Sequence, residues 1–206
     1  RIKPYLTEYK TKEKSSKISL KHTTLSVKNL SFSYDIGKDN IPKHISFEAS
    51  RGQIIGVTGS IASGKSTLGI ALLGLYPYLG SIKIDGKELN AYSEYERSEM
   101  ISYLGHRPQL LSDTIHNNII LGSKKDITPV LEQVCLDTDL SAMPRGENTL
   151  VGNSGIKLSG GQQARIALAR ALLNKNKIII LDDPFSAVDM ITEEKIIENL
   201  KNNYKD

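Results

Sequence analysis

Apolar residues along this chain recur with two different periods, and each change of period marks a new element. From Leu25 the pattern alternates through Val27, Leu30 and Phe32 toward Tyr34, as a half-buried strand requires. A polar turn region at 35–40 precedes a second strand around 44–49. Next comes a short β-branched run, Gln53-Ile54-Ile55-Gly56-Val57-Thr58, which predicts a strand buried in a parallel sheet. Leu68, Ala71, Leu72 and Leu75 then switch to helical spacing. Residues 80–86 predict a strand and tight turn, and 100–104 another strand. Between 112 and 143 the spacing is helical again, carried by Ile115, Ile119, Ile120, Val130, Leu131 and Val134. Residues 152–155 read as a loop and 160–173 as a long helix opened by Ser159. The apolar run 177–181 predicts a strand that ends in Asp182 and Asp183.

Chemistry gathers where these elements meet. The run 53–58 enters Gly59-Ser60-Ile61-Ala62-Ser63-Gly64-Lys65-Ser66-Thr67, which fits G-x-x-x-x-G-K-[ST]. Glycines at its two ends let the backbone curl so that N–H groups face a polyphosphate, and the following helix N-terminus adds its positive end. Lys65 is expected to reach the β/γ-phosphates, and the Ser66 hydroxyl to bind Mg²⁺. Asp182, at the end of an apolar strand, is expected to hold the water shell of that ion. A strand ending in a polar turn residue is weak evidence alone, and it gains weight from the phosphate loop upstream. Between the two halves lies Leu158-Ser159-Gly160-Gly161-Gln162: a hydroxyl, two glycines permitting close backbone approach, and a helix N-terminus aimed at an anion.

Composition narrows the class. A chain of 206 residues suits one α/β unit with a sizeable core. One cysteine, Cys135, excludes a disulfide framework. No apolar run reaches the roughly 20 residues of a membrane helix, and the start lacks the apolar stretch of a signal peptide. Net charge is +4, and Lys10, Lys12, Lys14, Lys17, Lys21 and Lys28 cluster early, reading as a solvated linker and not as a nucleic-acid surface.

With these pieces placed, residues 25–206 resemble the nucleotide-binding domain of an ATP-binding cassette (ABC) transporter of the exporter type. Residues 158–162 match its signature motif, Tyr34 its adenine-stacking aromatic, and Ser186-Ala187-Val188-Asp189 its D-loop. Thr149 to Gly155 match the loop that touches coupling helices, with Leu150 and Ser154 in place of the usual Glu and Arg. The resemblance implies a P-loop NTPase fold: a RecA-like parallel sheet core, an antiparallel β subdomain and an α-helical subdomain at about 110–158. It implies ATP and Mg²⁺ as ligands, with Gly59, Ser60, Ala62, Ser63, Gly64, Lys65, Ser66 and Thr67 around the phosphates. It further implies two domains packed head to tail, so that Ser159, Gly161 and Gln162 act on ATP held by the partner. Residues 1–24 then read as a linker from a preceding transmembrane domain, of the same or an associated chain, at the cytoplasmic face of the membrane.

Three departures from the family pattern set further expectations. The residue after Asp182, which matches the family's Walker B aspartate, is normally Glu, the general base, and here is Asp183, shorter by one methylene or about 1.5 Å. General base catalysis contributes 10²–10⁴-fold and needs direct reach, so weak hydrolysis at this chain's own site is expected. The Q-loop glutamine position aligns on His106, with Gln109 three residues on as the alternative, a glutamine that would sense Mg²⁺. The family's switch histidine has no match up to Asp206, which reads as truncation. These features favour the degenerate half of a heterodimeric exporter. A soluble ABC ATPase of translation or repair, and an ATP-binding regulatory module without turnover, remain the other classes.

Overall fold

The computed structural model describes residues 24–32, 44–107, 109–152 and 157–204. Strand β1 (Thr24–Phe32) is the spine of the first lobe. It pairs antiparallel with β2 (Ile45–Ser50) on one side and β3 (Tyr78–Ile84) on the other, and β4 (Lys87–Glu88) completes the order β2-β1-β3-β4. Leu25 and Val27 face inward, and a register shift between Val27 and Leu30 keeps Leu30 and Phe32 on that inner face. Asn29 bends there with φ 50. Opposite it Gly80 has φ +97, and a Cβ on Gly80 would lie 2.5 Å from the Asn29 carbonyl oxygen, so the bulge requires glycine. The 85–86 turn, with positive φ at Asp85 and Gly86, closes the β3-β4 hairpin as the sequence predicts.

The second lobe is helical. Helices α3 (Ile115–Ile120), α4 (Thr128–Gln133) and α5 (Asp137–Ser141) pack with α6 (Gly160–Leu172). Ile115, Ile119, Val130, Val134, Leu136, Ile166 and Leu168 are all at most 2% exposed and form one core with Ile196 of α7 (Met190–Asn203). Each such side chain contributes roughly 1.5–3 kcal/mol by leaving water.

Between the lobes, β5 (Ile101–Leu104) and β6 (Ile178–Leu181) pair parallel, Ile101 opposite Ile178. Helix α1 (Lys65–Leu72) lies on them so closely that a Cβ on Gly69 would be 3.3 Å from both Ile180 Cγ2 and Tyr103 Cε2. That packing sets the start of α1 beside the carboxyl ends of β5 and β6, where an open parallel sheet places its ligands.

The described structure departs from the sequence reading at several points. The strand expected at 53–58 pairs with no described strand, and Ile54, Ile55 and Val57 are 61, 44 and 50% exposed. A continuous apolar run records the need for neighbours on both sides; among the described residues the parallel sheet is β5 and β6 alone. Leu75, read as helical, lies past the end of α1 and is 63% exposed, because Gly74 turns the chain at φ +65. Helix α2 (Glu94–Met100) takes Met100 from the predicted strand; its signal is the capping box of Ser93 and Glu96. Of the linker predicted at 1–24, Thr24 instead opens β1, where it pairs with Ser50, and residues 1–23 lie outside the described residues, as do Tyr34 and residues 153–156 of the expected coupling loop.

Candidate functional site

The phosphate loop is built on tight backbone geometry. Gly64 holds φ 91 just before α1, a left-handed turn that glycine makes without strain, and a Cβ on Gly59 would meet Ser63 Oγ at 2.7 Å, which that hydroxyl would have to turn away from. Ala62 also sits left-handed, at φ 63. Lys65 Nζ donates to the carbonyls of Gly59 (3.0 Å) and Ser60 (2.9 Å), folding its ammonium over the loop. Ser66 Oγ donates to Asp182 Oδ1 at 3.1 Å, joining residues that β6 and α1 bring in from opposite ends of the sequence. Tyr103 donates its hydroxyl to Asp182 Oδ2 at 3.5 Å, and the Asp182 N–H donates to the Leu104 carbonyl, extending the β5-β6 ladder.

This corner fits a nucleotide with a hard cation. The Lys65 ammonium rests on two backbone carbonyls, and Ser66 with Asp182 offers oxygen ligands only, as Mg²⁺ prefers. Asp183 follows at φ 54, and Ser186 Oγ donates to its carbonyl at 3.3 Å. His106 Nδ1 stands 3.2 Å from Asp183 Oδ2, both side chains half-exposed. Gln109 is held through its backbone, its carbonyl accepting from Arg170 Nη1 of α6 at 3.1 Å. His106 and Asp183 lie far apart in the sequence, and no spacing there announces their pairing.

The signature segment is a second, separately built unit. Ser159 caps α6: its Oγ accepts from the Gln162 N–H (3.2 Å), and its own N–H donates to Gln162 Oε1 (3.0 Å). With its oxygen turned to Ser159, the Gln162 amide donates through Nε2 to Asp139 Oδ1 at 2.8 Å. Arg165 Nη1 donates to Asp139 Oδ2 at 2.8 Å and to the Cys135 carbonyl, while Arg165 Nε donates to the Gly161 carbonyl at 3.3 Å. Burial acts to raise the Asp139 pKa, but hydrogen bonds from Gln162 and Arg165 outweigh it and hold the carboxyl below its usual range. A Cβ on Gly161 would lie 2.9 Å from the Ala187 carbonyl oxygen, so only glycine lets residues 186–189 pass this close. Asp139 was missed from sequence: an acidic residue on a polar helix face carries no motif.

Comparison with known proteins gives the same reading. A family profile described as "ABC transporter" matches residues 42–186, more than half of the chain. The chain is 41% identical over 196 residues to the multidrug resistance-like ATP-binding protein MdlA of Buchnera aphidicola, covering 92% of this chain and 34% of that protein. It is 34% identical over 202 residues to the lactococcin-A transport/processing ATP-binding protein LcnC of Lactococcus lactis, covering 95% of this chain and 28% of that one. A solved bacterial Atm1-family ABC exporter with ATP bound superposes with TM-score 0.82 at 27% identity, over 91% of this chain and 34% of the exporter. The chain thus spans about a third of the length of its relatives. With the phosphate loop, the acidic strand end and the capped signature in one cassette, the chain belongs to the ABC transporter family and has the family's P-loop nucleotide-binding fold.

Proposed function

We propose that this cassette binds ATP with Mg²⁺ and powers transmembrane export by closing head to tail on a second nucleotide-binding domain. The observation that carries the reading is the coexistence of two finished binding units: the loop joined to Asp182 through Ser66 at 3.1 Å, and a signature helix fixed at its cap by Asp139. Each unit is half of a composite site. When bound, Mg²⁺ would be held by the Ser66 hydroxyl and, through water, by Asp182, neutralising charge on the phosphates. Lys65 exchanges its two carbonyl partners for phosphate oxygens, and loop N–H groups with the α1 N-terminus bind the rest. Ser159 and Gly161, held still by Gln162 and Asp139, present hydroxyl and backbone N–H to an ATP on the partner domain.

At this chain's own site hydrolysis is slow. Asp183 is a methylene shorter than the family's Glu, and His106 stands against its carboxylate. The cassette is therefore the weakly hydrolytic half of a pair, and its signature serves the faster partner site. Attachment to a transmembrane domain, in the same or an associated chain, places it at the cytoplasmic membrane face. ATPase assays of the full-length complex test this. Ser159→Arg should remove most turnover and Lys65→Ala should weaken ATP binding by this chain roughly 10–100-fold. Full turnover after Ser159→Arg overturns the head-to-tail reading.

A further inference from the structure

Two positions at which this chain departs from its family, 106 and 183, come together as a pair. We propose that His106 is the base that takes the proton of the attacking water at this chain's own site, with Asp183 the positioning residue that holds it. The proposal rests on the ATP-binding reading above and says how the slow site turns over.

The geometry has the form of an oriented imidazole. His106 Nδ1 lies 3.2 Å from Asp183 Oδ2. A carboxylate only accepts, so Nδ1 carries the hydrogen, and in the neutral ring Nε2 is left with its lone pair. Asp183 thus selects the tautomer and aims the basic nitrogen away from itself, as an aspartate orients a catalytic histidine in hydrolases of other folds. The pair stands at the phosphate end of the molecule. Asp183 directly follows Asp182, which the Ser66 hydroxyl holds at 3.1 Å, and His106 lies two residues past β5, whose Tyr103 reaches the same Asp182. Asp183 is fixed in a left-handed turn, φ 54, that aspartate tolerates. Both side chains keep about half their surface open, 52 and 56%, so water and phosphate have access.

The step balances. The water oxygen bonds to the γ-phosphorus while the bond from that phosphorus to the β,γ-bridging oxygen breaks, its electron pair leaving on ADP. One water proton passes to His106 Nε2, the other stays on the inorganic phosphate, and His106 later returns its proton to solvent.

The test uses the full-length complex in a Ser159→Arg background, which silences the partner's ATP and leaves this site's residual turnover. His106→Ala should lower that residual rate by on the order of 100-fold. His106→Gln, the family's residue, should not rescue it, and Asp183→Asn should cost at least about 10-fold through the wrong tautomer. Retained ATP affinity in each variant shows that the site still folds. A second readout is independent of turnover: ¹⁵N spectra of histidine-labelled protein should show His106 protonated at Nδ1 at neutral pH, and Asp183→Asn should shift that tautomer. No residual turnover in the background, a rate unchanged by His106→Ala, or a tautomer indifferent to Asp183→Asn each overturns the proposal. Full turnover in the Ser159→Arg background instead defeats the head-to-tail reading, and the tautomer measurement then still decides the pairing.

Discussion

The phosphate-loop corner and the capped start of α6 differ in how firmly they are held. At the loop side, Ser66 and Tyr103 each give one hydrogen bond to Asp182, His106 meets Asp183 through one contact, and Ile61 at the loop tip is 97% exposed. At the signature side, Ser159, Gln162, Arg165 and Asp139 form a closed network behind the α6 cap. The contrast suits the proposed roles: a loop that wraps its own ATP can be completed by that ligand, whereas a segment proposed to serve a neighbouring domain's ATP has to take its order from its own chain.

Substitutions on the two sides should break in different currencies, binding on one and stability on the other. Lys65→Ala should weaken ATP binding roughly 10–100-fold, measured by titration calorimetry, with thermal stability nearly unchanged, since a charged hydrogen bond to phosphate is worth about 1.5–3 kcal/mol. Gly161→Ala should cost about 1–3 kcal/mol in denaturant unfolding, because its Cβ would stand 2.9 Å from a backbone oxygen of Ala187. An unchanged midpoint would mean that residues 186–189 move aside freely. Asp139→Ala should cost about 1–2 kcal/mol by unpairing Arg165 and freeing the Gln162 amide, while ATP affinity at this chain's own loop stays the same. His106→Ala should change stability by less than about 0.5 kcal/mol, because a hydrogen-bonded contact between two half-exposed polar side chains is worth little.

Acid sharpens the same comparison. Asp139 has its pKa lowered in the fold, so its contribution is present above the pKa of the unfolded chain and is lost as pH falls through the folded value. Asp139→Asn should therefore cost most stability at neutral pH, with its difference from the wild type shrinking as pH falls below about 4. A profile with the wild-type slope would show that the network adds no pH-linked stability.

Much of the site was legible as spacing. The phosphate loop, the strand ending at Asp182 and the cap at Ser159 are local, each written in fewer than ten consecutive residues with flanking periodicity to match. The antiparallel lobe was legible too, because alternation at Leu25 and Val27 and the Asp85-Gly86 turn depend on near neighbours. Helix α2 was overlooked although Ser93 and Glu96 announce its start. The run 53–58 shows the limit of periodicity, since an apolar stretch states that it wants strand neighbours without supplying them.

The sequence by itself determined the nucleotide chemistry and the family, because a phosphate loop and a signature are backbone devices whose glycines and hydroxyls act within a few residues of one another. Only the tertiary structure decided which side chains share a charge or a proton. His106 meets Asp183 because β5 and β6 run parallel and end together, and Asp139 meets Gln162 because α5 packs beside the start of α6. Such meetings are fixed by strand register and helix packing across dozens of residues, and one-dimensional spacing carries no record of them.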